Sequence, residues 1–192
     1  VEQVRAVEIE VRHVHISNTA SAIRRLDTGV GCTMTRVGIA MYGIPGDAAT
    51  NSFGAAHQLD LRPVMSVHAR VSHVQRVTAG QGVSYGLKRP LESDSTIATL
   101  PLGYADGVPR GLWESGSVLI GGIRRAFAGV VTMDQIMVNC ADDAVHIGDE
   151  VVLIGTQGSE AITANEWANK MGTIGYEIVC AISARMPRNY IN

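Results

Sequence analysis

The chain has 192 residues, of which 46% are hydrophobic and 18% are charged, and its formal net charge is −2. This composition provides for a substantial core, and the charge balance gives no basic surface of the kind that binds nucleic acid or an anionic membrane. The sequence has no apolar run of the roughly 20 residues that a membrane helix needs. It starts at Val1 without a signal-peptide core or an initiator Met, so we expect a truncated or processed chain.

The cysteines and histidines predict neither a disulfide framework nor a metal site. Cys32, Cys140 and Cys180 are odd in number and widely spaced, which predicts buried thiols in a reducing, cytoplasmic compartment. The six histidines show no spacing typical of a metal site.

Residues 1–44 have the pattern of a parallel α/β domain. Val11–Ser17 and Met34–Tyr42 are predicted strands, and Thr19–Leu26 is a predicted helix with apolar residues at helical spacing. Strand, helix and strand in this order form a βα unit, but such a short stretch cannot make a sheet covered on both faces. We therefore expect residues 1–44 to be the end of a larger α/β domain.

Residues 45–60 are small and polar and predict a linker, and residues 61–192 predict a mainly β domain. Apolar alternation over residues 67–77 changes phase near Ser72–His73, which indicates a bulge. Glycine-rich turns separate the further predicted strands, so we expect a closed or nearly closed barrel; these strands are Ile97–Leu102, Ser117–Ile120, Ala126–Val131, Gln135–Asn139 and Glu150–Ile154. A helix starts at a predicted capping box, Thr163 to Glu166, and ends at Gly172.

Three features around the α/β segment suggest a ligand, and each has an ordinary structural explanation. His15-Ile16-Ser17-Asn18-Thr19 places hydroxyl and amide groups at the end of a predicted strand, where an anion can bind, although helix capping explains Asn18 or Thr19 equally well. Arg36 is followed by Gly38, which allows a close backbone approach or simply a tight turn. Tyr176 follows Gly175 at a predicted helix start and is also compatible with a packed aromatic ring.

In the β domain, Tyr85 and Tyr104 lie among glycines, and Met133-Asp134 follows a very apolar segment. An Asp after a strand normally caps a turn. A tyrosine has an ordinary pKa of about 10, so it acts as a base at neutral pH only where its surroundings depress that value.

In combination and in this order, the motifs resemble the C-terminal portion of a bacterial alanine racemase. The resemblance covers the chain beyond about residue 12, and its motifs are His15-Ile16-Ser17-Asn18-Thr19, Arg36 to Gly43, Arg62 to Ser66, Val83-Ser84-Tyr85-Gly86, Gly103-Tyr104-Ala105-Asp106-Gly107 with Arg110, Met133-Asp134-Gln135, Tyr176-Glu177-Ile178 and Arg185 to Arg188.

The resemblance implies the last βα units of an incomplete (β/α)8 barrel followed by a C-terminal β domain, and a head-to-tail homodimer. It implies pyridoxal 5′-phosphate, bound as a Schiff base to a barrel lysine, and a small amino-acid substrate. Tyr85 would be one of two opposed bases, the barrel lysine would be the other, and the cofactor would supply the electron sink. The product D-alanine would serve peptidoglycan synthesis.

The resemblance also implies roles for the remaining site residues. Arg36 would face the pyridine nitrogen without protonating it, because an arginine keeps its proton, and His15 would hydrogen-bond Arg36. The phosphate and its surroundings would involve Asn18, Thr19, Gly38, Ile39 and Tyr176. The Met133 N–H would bind the substrate carboxylate with Asp134 nearby, and Tyr104 would line the access passage.

The sequence departs from the family pattern in two ways. Thr19 stands where the family usually has Ser, which keeps the hydroxyl. The family's Lys-Ala-Asn-Ala-Tyr-Gly-His-Gly-type segment is absent, and Lys88 and Lys170 both have the sequence context of surface lysines. We therefore expect this chain to be inactive alone. The alternatives are a non-catalytic dimerisation module, a racemase for serine or another small amino acid and, with less support, a related decarboxylase.

Overall fold

The computed structural model describes residues 11–24, 31–46 and 59–191 together with the isolated positions 3, 6, 52 and 54. The chain divides into two units, Val1–Val64 and Met65–Asn192. Most of the predicted linker, residues 45–60, lies outside the described residues.

In the first unit, the described residues form a helix, α1 (Thr19–Arg24), and a 3-10 turn (Ile39–Tyr42), but not the predicted strands. The segments 11–17 and 33–38 are joined by single hydrogen bonds, such as Thr33 N–H to the Val14 carbonyl at 2.9 Å and Arg36 N–H to the Ser17 carbonyl at 2.9 Å. A parallel strand inside a sheet needs a ladder on both sides, and these two segments alone do not provide one.

The second unit contains eight strands and two helices among its described residues. The strands are β1 (Val67–Arg70), β2 (His73–Val77), β3 (Ser95–Leu100), β4 (Ser117–Ile120), β5 (Ile123–Ala126), β6 (Ile136–Asn139), β7 (Glu150–Gln157) and β8 (Glu160–Ile162); the helices are α2 (Ala164–Met171) and α3 (Gly175–Ala181). One sheet has the order β1-β7-β4-β5 with β8 beside β7, and the other has the order β2-β3-β6. Each of these pairings is antiparallel.

These two sheets replace the closed barrel expected from the sequence. The predicted irregularity near Ser72 marks the place where the chain leaves one sheet for the other. Val71 N–H still donates to the Asp149 carbonyl beside β7, whereas Ser72 N–H donates to the Thr99 carbonyl on β3. On the far side, a single bridge between Phe127 and Val138 joins the two sheets. The described strands therefore form no continuous closed ladder.

The strand predictions are right for the short apolar runs of the sheets, such as Ser117–Ile120, and wrong where a charge or a glycine intervenes. Strand β5 was not predicted because it contains two arginines, yet Arg125 is buried and pairs with Asp143. Of the predicted strand Ala126–Val131, Ala126 ends β5, whereas the residues from Phe127 to Val131 are buried without forming a strand, because Gly129 adopts a φ of 80° and turns the chain. The sequence also predicts a basic strand at Arg185–Arg188, but these residues form a turn followed by irregular chain.

The core of the second unit lies between the strands and under α2. Leu119, Val152 and Leu153 are fully buried on β4 and β7, and Trp167 brings α2 onto the core at 0% exposure. Of the three cysteines, only Cys140 is buried; Cys32 is half-buried and Cys180 is exposed, so the expectation of three buried thiols is wrong. Within the described ranges, no helix is long and apolar enough to cross a membrane, and no group of side chains has the composition of a metal site.

Helix α2 starts at the predicted cap, although only half of the capping box forms. The Thr163 hydroxyl accepts a hydrogen bond from Glu166 N–H at 3.0 Å, and Gly172 ends the helix in the left-handed conformation. The Glu166 carboxylate accepts from Arg124 at 2.8 Å and from Lys170 at 2.7 Å, so it joins β5 to α2.

Replacing the cap tests this account of α2. We expect Thr163→Ala to lower the free energy of unfolding by about 1 kcal/mol, because one N-terminal amide loses its acceptor. Thr163→Ser keeps the hydroxyl and is the matched control. Urea denaturation measures both variants, and equal stability of the alanine variant and the parent chain would contradict the assignment.

Candidate active site

The candidate site of the second unit is built on one stretch of chain, residues 129–135, which we call the central segment. The Tyr85 loop (residues 81–91) contacts its beginning, and the Tyr104 loop (residues 103–107) contacts its end. The two tyrosines singled out in the sequence are thus positioned against the same backbone.

The Tyr85 loop is closed at its base and exposes Tyr85 at its tip. Gly80 N–H donates to the Leu91 carbonyl at 2.8 Å, and Leu91 N–H donates to the Gln81 carbonyl at 2.9 Å. Tyr85 opens a short 3-10 turn, Tyr85–Leu87, and its side chain is exposed, at 76%. A ring kept out of the core in this way is available to a ligand or a partner.

Backbone strain accompanies this exposure. Ser84 has a φ of 67° and Leu87 a φ of 44°, conformations that side-chain-bearing residues rarely adopt and that cost about 1–3 kcal/mol each. Contacts with the central segment maintain the Ser84 conformation. The Ser84 hydroxyl donates to the Val130 carbonyl at 2.8 Å, and Gly129 lies so close that a Cβ there would be 2.3 Å from the Val83 carbonyl oxygen.

The Tyr104 loop contacts the other end of the central segment through backbone groups. Tyr104 N–H donates to the Thr132 carbonyl at 2.9 Å, and Ala105 N–H donates to the Met133 carbonyl at 3.1 Å. Gly103 makes this approach possible, because a Cβ there would be 2.1 Å from the Thr132 oxygen. Within the part of the chain that the structure describes, the Met133 N–H has no protein acceptor. Tyr104 and Met133 are both exposed at this edge.

Arg185 joins the Tyr104 loop to the central segment electrostatically, a role that the sequence does not predict. Its guanidinium donates to the Asp134 carboxylate at 2.7 Å, and its Nε lies 3.4 Å from the buried Asp106 carboxylate. The hydrogen bond that Arg185 donates to Asp134 and the negative charge of Asp106 raise the pKa of Arg185 above its ordinary value. Asp106 in turn accepts from Gly103 N–H at 2.9 Å. The sequence offers one indication of this role, because Asp106 and Arg185 both lie in motifs that contain turn-forming glycine or proline.

A cavity of about 390 Å³ lies between the Tyr104 loop and the two helices α2 and α3. Tyr104, Arg110 and Glu177 give it polar groups, and Val108 and Ile178 give it apolar ones. Tyr176 precedes Glu177 on α3 and is exposed at 38%.

The first unit brings together the other predicted residues. An Arg36 guanidinium nitrogen contacts His15 Nδ1 and lies 3.2 Å from the His15 carbonyl oxygen. Because arginine remains protonated, Nδ1 of His15 is the acceptor. The Thr19 hydroxyl accepts from Gly38 N–H at 2.9 Å, which fixes the start of α1 beside the turn that begins at Ile39.

Asn18 has the structural role that its position allowed. Its side-chain oxygen accepts from Ser21 N–H at 3.0 Å, so it caps α1. Neither lysine of the chain is buried: Lys88 is exposed on the Tyr85 loop, and Lys170 pairs with Glu166 on α2.

Comparison with known proteins identifies the family. Residues 64–190 match the family described as alanine racemase, C-terminal domain. The alanine racemase of Salinispora arenicola is 44% identical over 190 residues, covering 98% of this chain and 49% of the relative. The crystal structure of alanine racemase from Bacillus anthracis with bound L-Ala-P superposes with a TM-score of 0.91 at 37% identity, covering 100% of this chain and 48% of that one. The Streptomyces coelicolor structure gives a TM-score of 0.89 with 49% of its chain covered.

By these matches, the two-sheet β domain, in which the Tyr85 and Tyr104 loops contact the same backbone segment, is a domain of the racemase class. The chain belongs to the alanine racemase family and corresponds to its C-terminal portion. It spans about half the length of the curated relatives that it matches.

Asp106 tests the construction of the Tyr104 loop. We expect Asp106→Ala to lower the free energy of unfolding by about 2 kcal/mol, because a charged acceptor of the Gly103 N–H is lost. Asp106→Asn keeps an oxygen for that N–H while removing the charge facing Arg185, so it should lose less. Urea denaturation gives the stability, and amide exchange at Tyr104 and Ala105 reports the loop; an asparagine variant as damaged as the alanine variant would contradict the hydrogen-bond role.

Proposed function

We propose that this chain is half of a pyridoxal-phosphate-dependent enzyme that interconverts L-alanine and D-alanine. The observation that carries the proposal is the exposed Tyr85, held on a strained loop in a chain of the alanine racemase family. Strain of this kind is retained where the surrounding structure maintains it, and it is concentrated at functional sites.

The residues of the first unit have the chemistry to hold the cofactor. The Thr19 hydroxyl accepts a hydrogen bond from Gly38 N–H, so its own hydrogen is available to a phosphate oxygen. The Ile39 amide directly follows Gly38, at the start of the 3-10 turn. Arg36, oriented by His15, offers a permanent positive charge for the pyridine nitrogen. Tyr176 would complete the phosphate contacts, and Asn18 would support them through the cap of α1.

The cofactor, when bound, supplies the electron sink that allows the α-proton of the amino acid to leave. Tyr85 would remove or return that proton on one face of the α-carbon. The Met133 N–H would donate to the substrate carboxylate, since it has no acceptor among the described residues. Asp134, fixed by Arg185, would define the edge of this site, and Tyr104 would line the access passage.

The opposed base and the cofactor-bearing lysine would come from the barrel portion of the enzyme. Lys88 and Lys170 are the only lysines of this sequence, and both are on the surface of the described structure. The active enzyme would be a head-to-tail homodimer in the cytoplasm that makes D-alanine for peptidoglycan. We take alanine as the substrate, and serine or another small amino acid is the alternative that a substrate panel decides.

A chimera tests the racemase function. The portion of the Bacillus anthracis relative that precedes the matched half is fused to Val1 of this chain. We expect the chimera to interconvert the alanine enantiomers in the presence of pyridoxal phosphate, as measured by chiral chromatography. A folded chimera that retains pyridoxal phosphate but racemises neither alanine nor serine would favour a non-catalytic dimerisation module.

Tyr85→Phe in that chimera tests the proposed base. We expect kcat to fall by about 10²–10⁴-fold, the contribution typical of a positioned acid or base, with little change in KM. Tyr190→Phe is the matched control, because Tyr190 is also an exposed tyrosine, at 92%, and lies near the C-terminal end. A Tyr85→Phe variant as active as the control would remove Tyr85 from the mechanism.

The chain alone should be inactive, because its surface lysines lack the setting for a cofactor lysine. We expect the isolated 192-residue chain with pyridoxal phosphate to leave L-alanine unchanged. Mass spectrometry after borohydride reduction should find no stoichiometric pyridoxal adduct on Lys88 or Lys170. Racemisation by the isolated chain, or a specific adduct at either lysine, would contradict this expectation.

A further inference from the structure

The Tyr85 loop is held on two sides, and the contacts on its second side involve residues that have no role in the proposed mechanism. On the first side, Ser84 and Val83 contact the central segment. On the second side, Lys88 and Arg89 lie over the indole ring of Trp113, with Nζ 5.6 Å and Cζ 5.5 Å from the ring centroid. Both distances are in the range of cation–π attraction.

Trp113 is a fixed platform for these cations. It belongs to the 3-10 helix Arg110–Glu114, in which the preceding residue, Leu112, is fully buried at 0% exposure. Behind this helix, Gly116 packs so tightly that a Cβ there would be 2.4 Å from the Phe127 ring. The backbone that carries the Trp113 ring is therefore anchored independently of the Tyr85 loop.

Arg89 reinforces the contact with a directional bond. Its Nη2 donates to the Glu114 carbonyl at 2.9 Å, the residue directly after Trp113. Lys88 and Arg89 follow Leu87, whose φ of 44° is strained. A strained backbone conformation persists only where the surrounding structure maintains it. The contacts of Lys88 and Arg89 with Trp113 hold the segment that follows Leu87.

We propose that Trp113 is a positioning residue for Tyr85, acting through Lys88 and Arg89. It contacts neither substrate nor cofactor in this role. The aromatic face keeps the Tyr85 loop in its strained conformation, so that the phenol is presented in a single orientation. This inference rests on the proposed function for its catalytic consequence, but its structural part applies to the chain alone.

The structural part is tested on the 192-residue chain by amide hydrogen exchange. The Leu87 and Leu91 amides donate within the loop, to Ser84 and Gln81, and so report its opening. One cation–π contact at an exposed site changes an equilibrium by about threefold. We therefore expect Lys88→Met, which removes one contact, to accelerate their exchange by about threefold, and Trp113→Leu, which removes two, by about tenfold. Trp113→Phe keeps an aromatic face and should restore part of the protection.

Arg76→Gln is the matched control for Arg89→Gln. Arg76 is another exposed arginine of the same unit that donates to a backbone carbonyl, that of Ala141 at 3.1 Å, and it lies outside the loop. Only the Arg89 variant should accelerate exchange at Leu87 and Leu91, while the amides of β4 and β7, which neither arginine contacts, should exchange as in the parent chain in both variants. Loop exchange that is unchanged in Trp113→Leu, or raised equally across the whole unit, would overturn the proposal.

The catalytic consequence is tested in the chimera with α-deuterated alanine. Tyr85 removes the α-proton of one enantiomer and returns the proton in the opposite direction, so Trp113→Leu should lower kcat/KM equally in both directions. It should raise the primary isotope effect only for the enantiomer whose α-proton Tyr85 removes. A general loss of stability would lower the activity without changing either isotope effect. Faster loop exchange without this asymmetry would overturn the catalytic role of Trp113, whereas an inactive parent chimera would count against the proposed function instead.

Discussion

The close packing of backbone against the central segment is the constraint on which the rest of the site depends. At Gly129 and Gly103, other parts of the main chain approach so closely that no side chain fits. A main-chain contact of this kind fixes position more rigidly than contacts between side chains, because it has no rotamers to exchange. The two tyrosine loops are therefore placed relative to one another through one short piece of chain, and the sheets serve to fix that piece.

Charge strengthens the same arrangement at its second end. Asp106 is buried and would be costly without partners, but the Gly103 amide and the Arg185 guanidinium both face its carboxylate. Arg185 also binds Asp134, which fixes the residue next to Met133. The position of the Met133 amide consequently depends on a cation that comes from the last residues of the chain, about fifty positions away in sequence.

The sequence predicts those parts of the fold that follow from local chemistry. The strand Ser117–Ile120, the Thr163 cap and the Gly172 helix end are confirmed, since each depends on a short apolar run or on a single capping residue. The bulge predicted near Ser72 is instead a change of sheet, and the register shift of β1 lies between Val67 and His68. The failures share a different cause. The sequence does not predict strand β5, because the burial of Arg125 depends on Asp143, a residue distant in sequence. It predicts too long a strand after β5, because Gly129 turns a chain that is apolar on both sides of it. The closed barrel and the strands of the first unit also failed, because pairing between segments is not a local property.

The sequence by itself determined the family, the candidate residues and the absence from this sequence of the family's lysine-bearing cofactor segment, because these are questions of residue identity and order. It also identified Tyr85 and Tyr104 as tyrosines set among glycines. Only the tertiary structure decided that both loops lie against one segment, that Ser84 is strained, and that Arg185 and Trp113 hold the loops from outside. These contacts join residues that are far apart in the sequence. The packing of the two sheets brings such residues together, and spacing along the sequence does not reveal it.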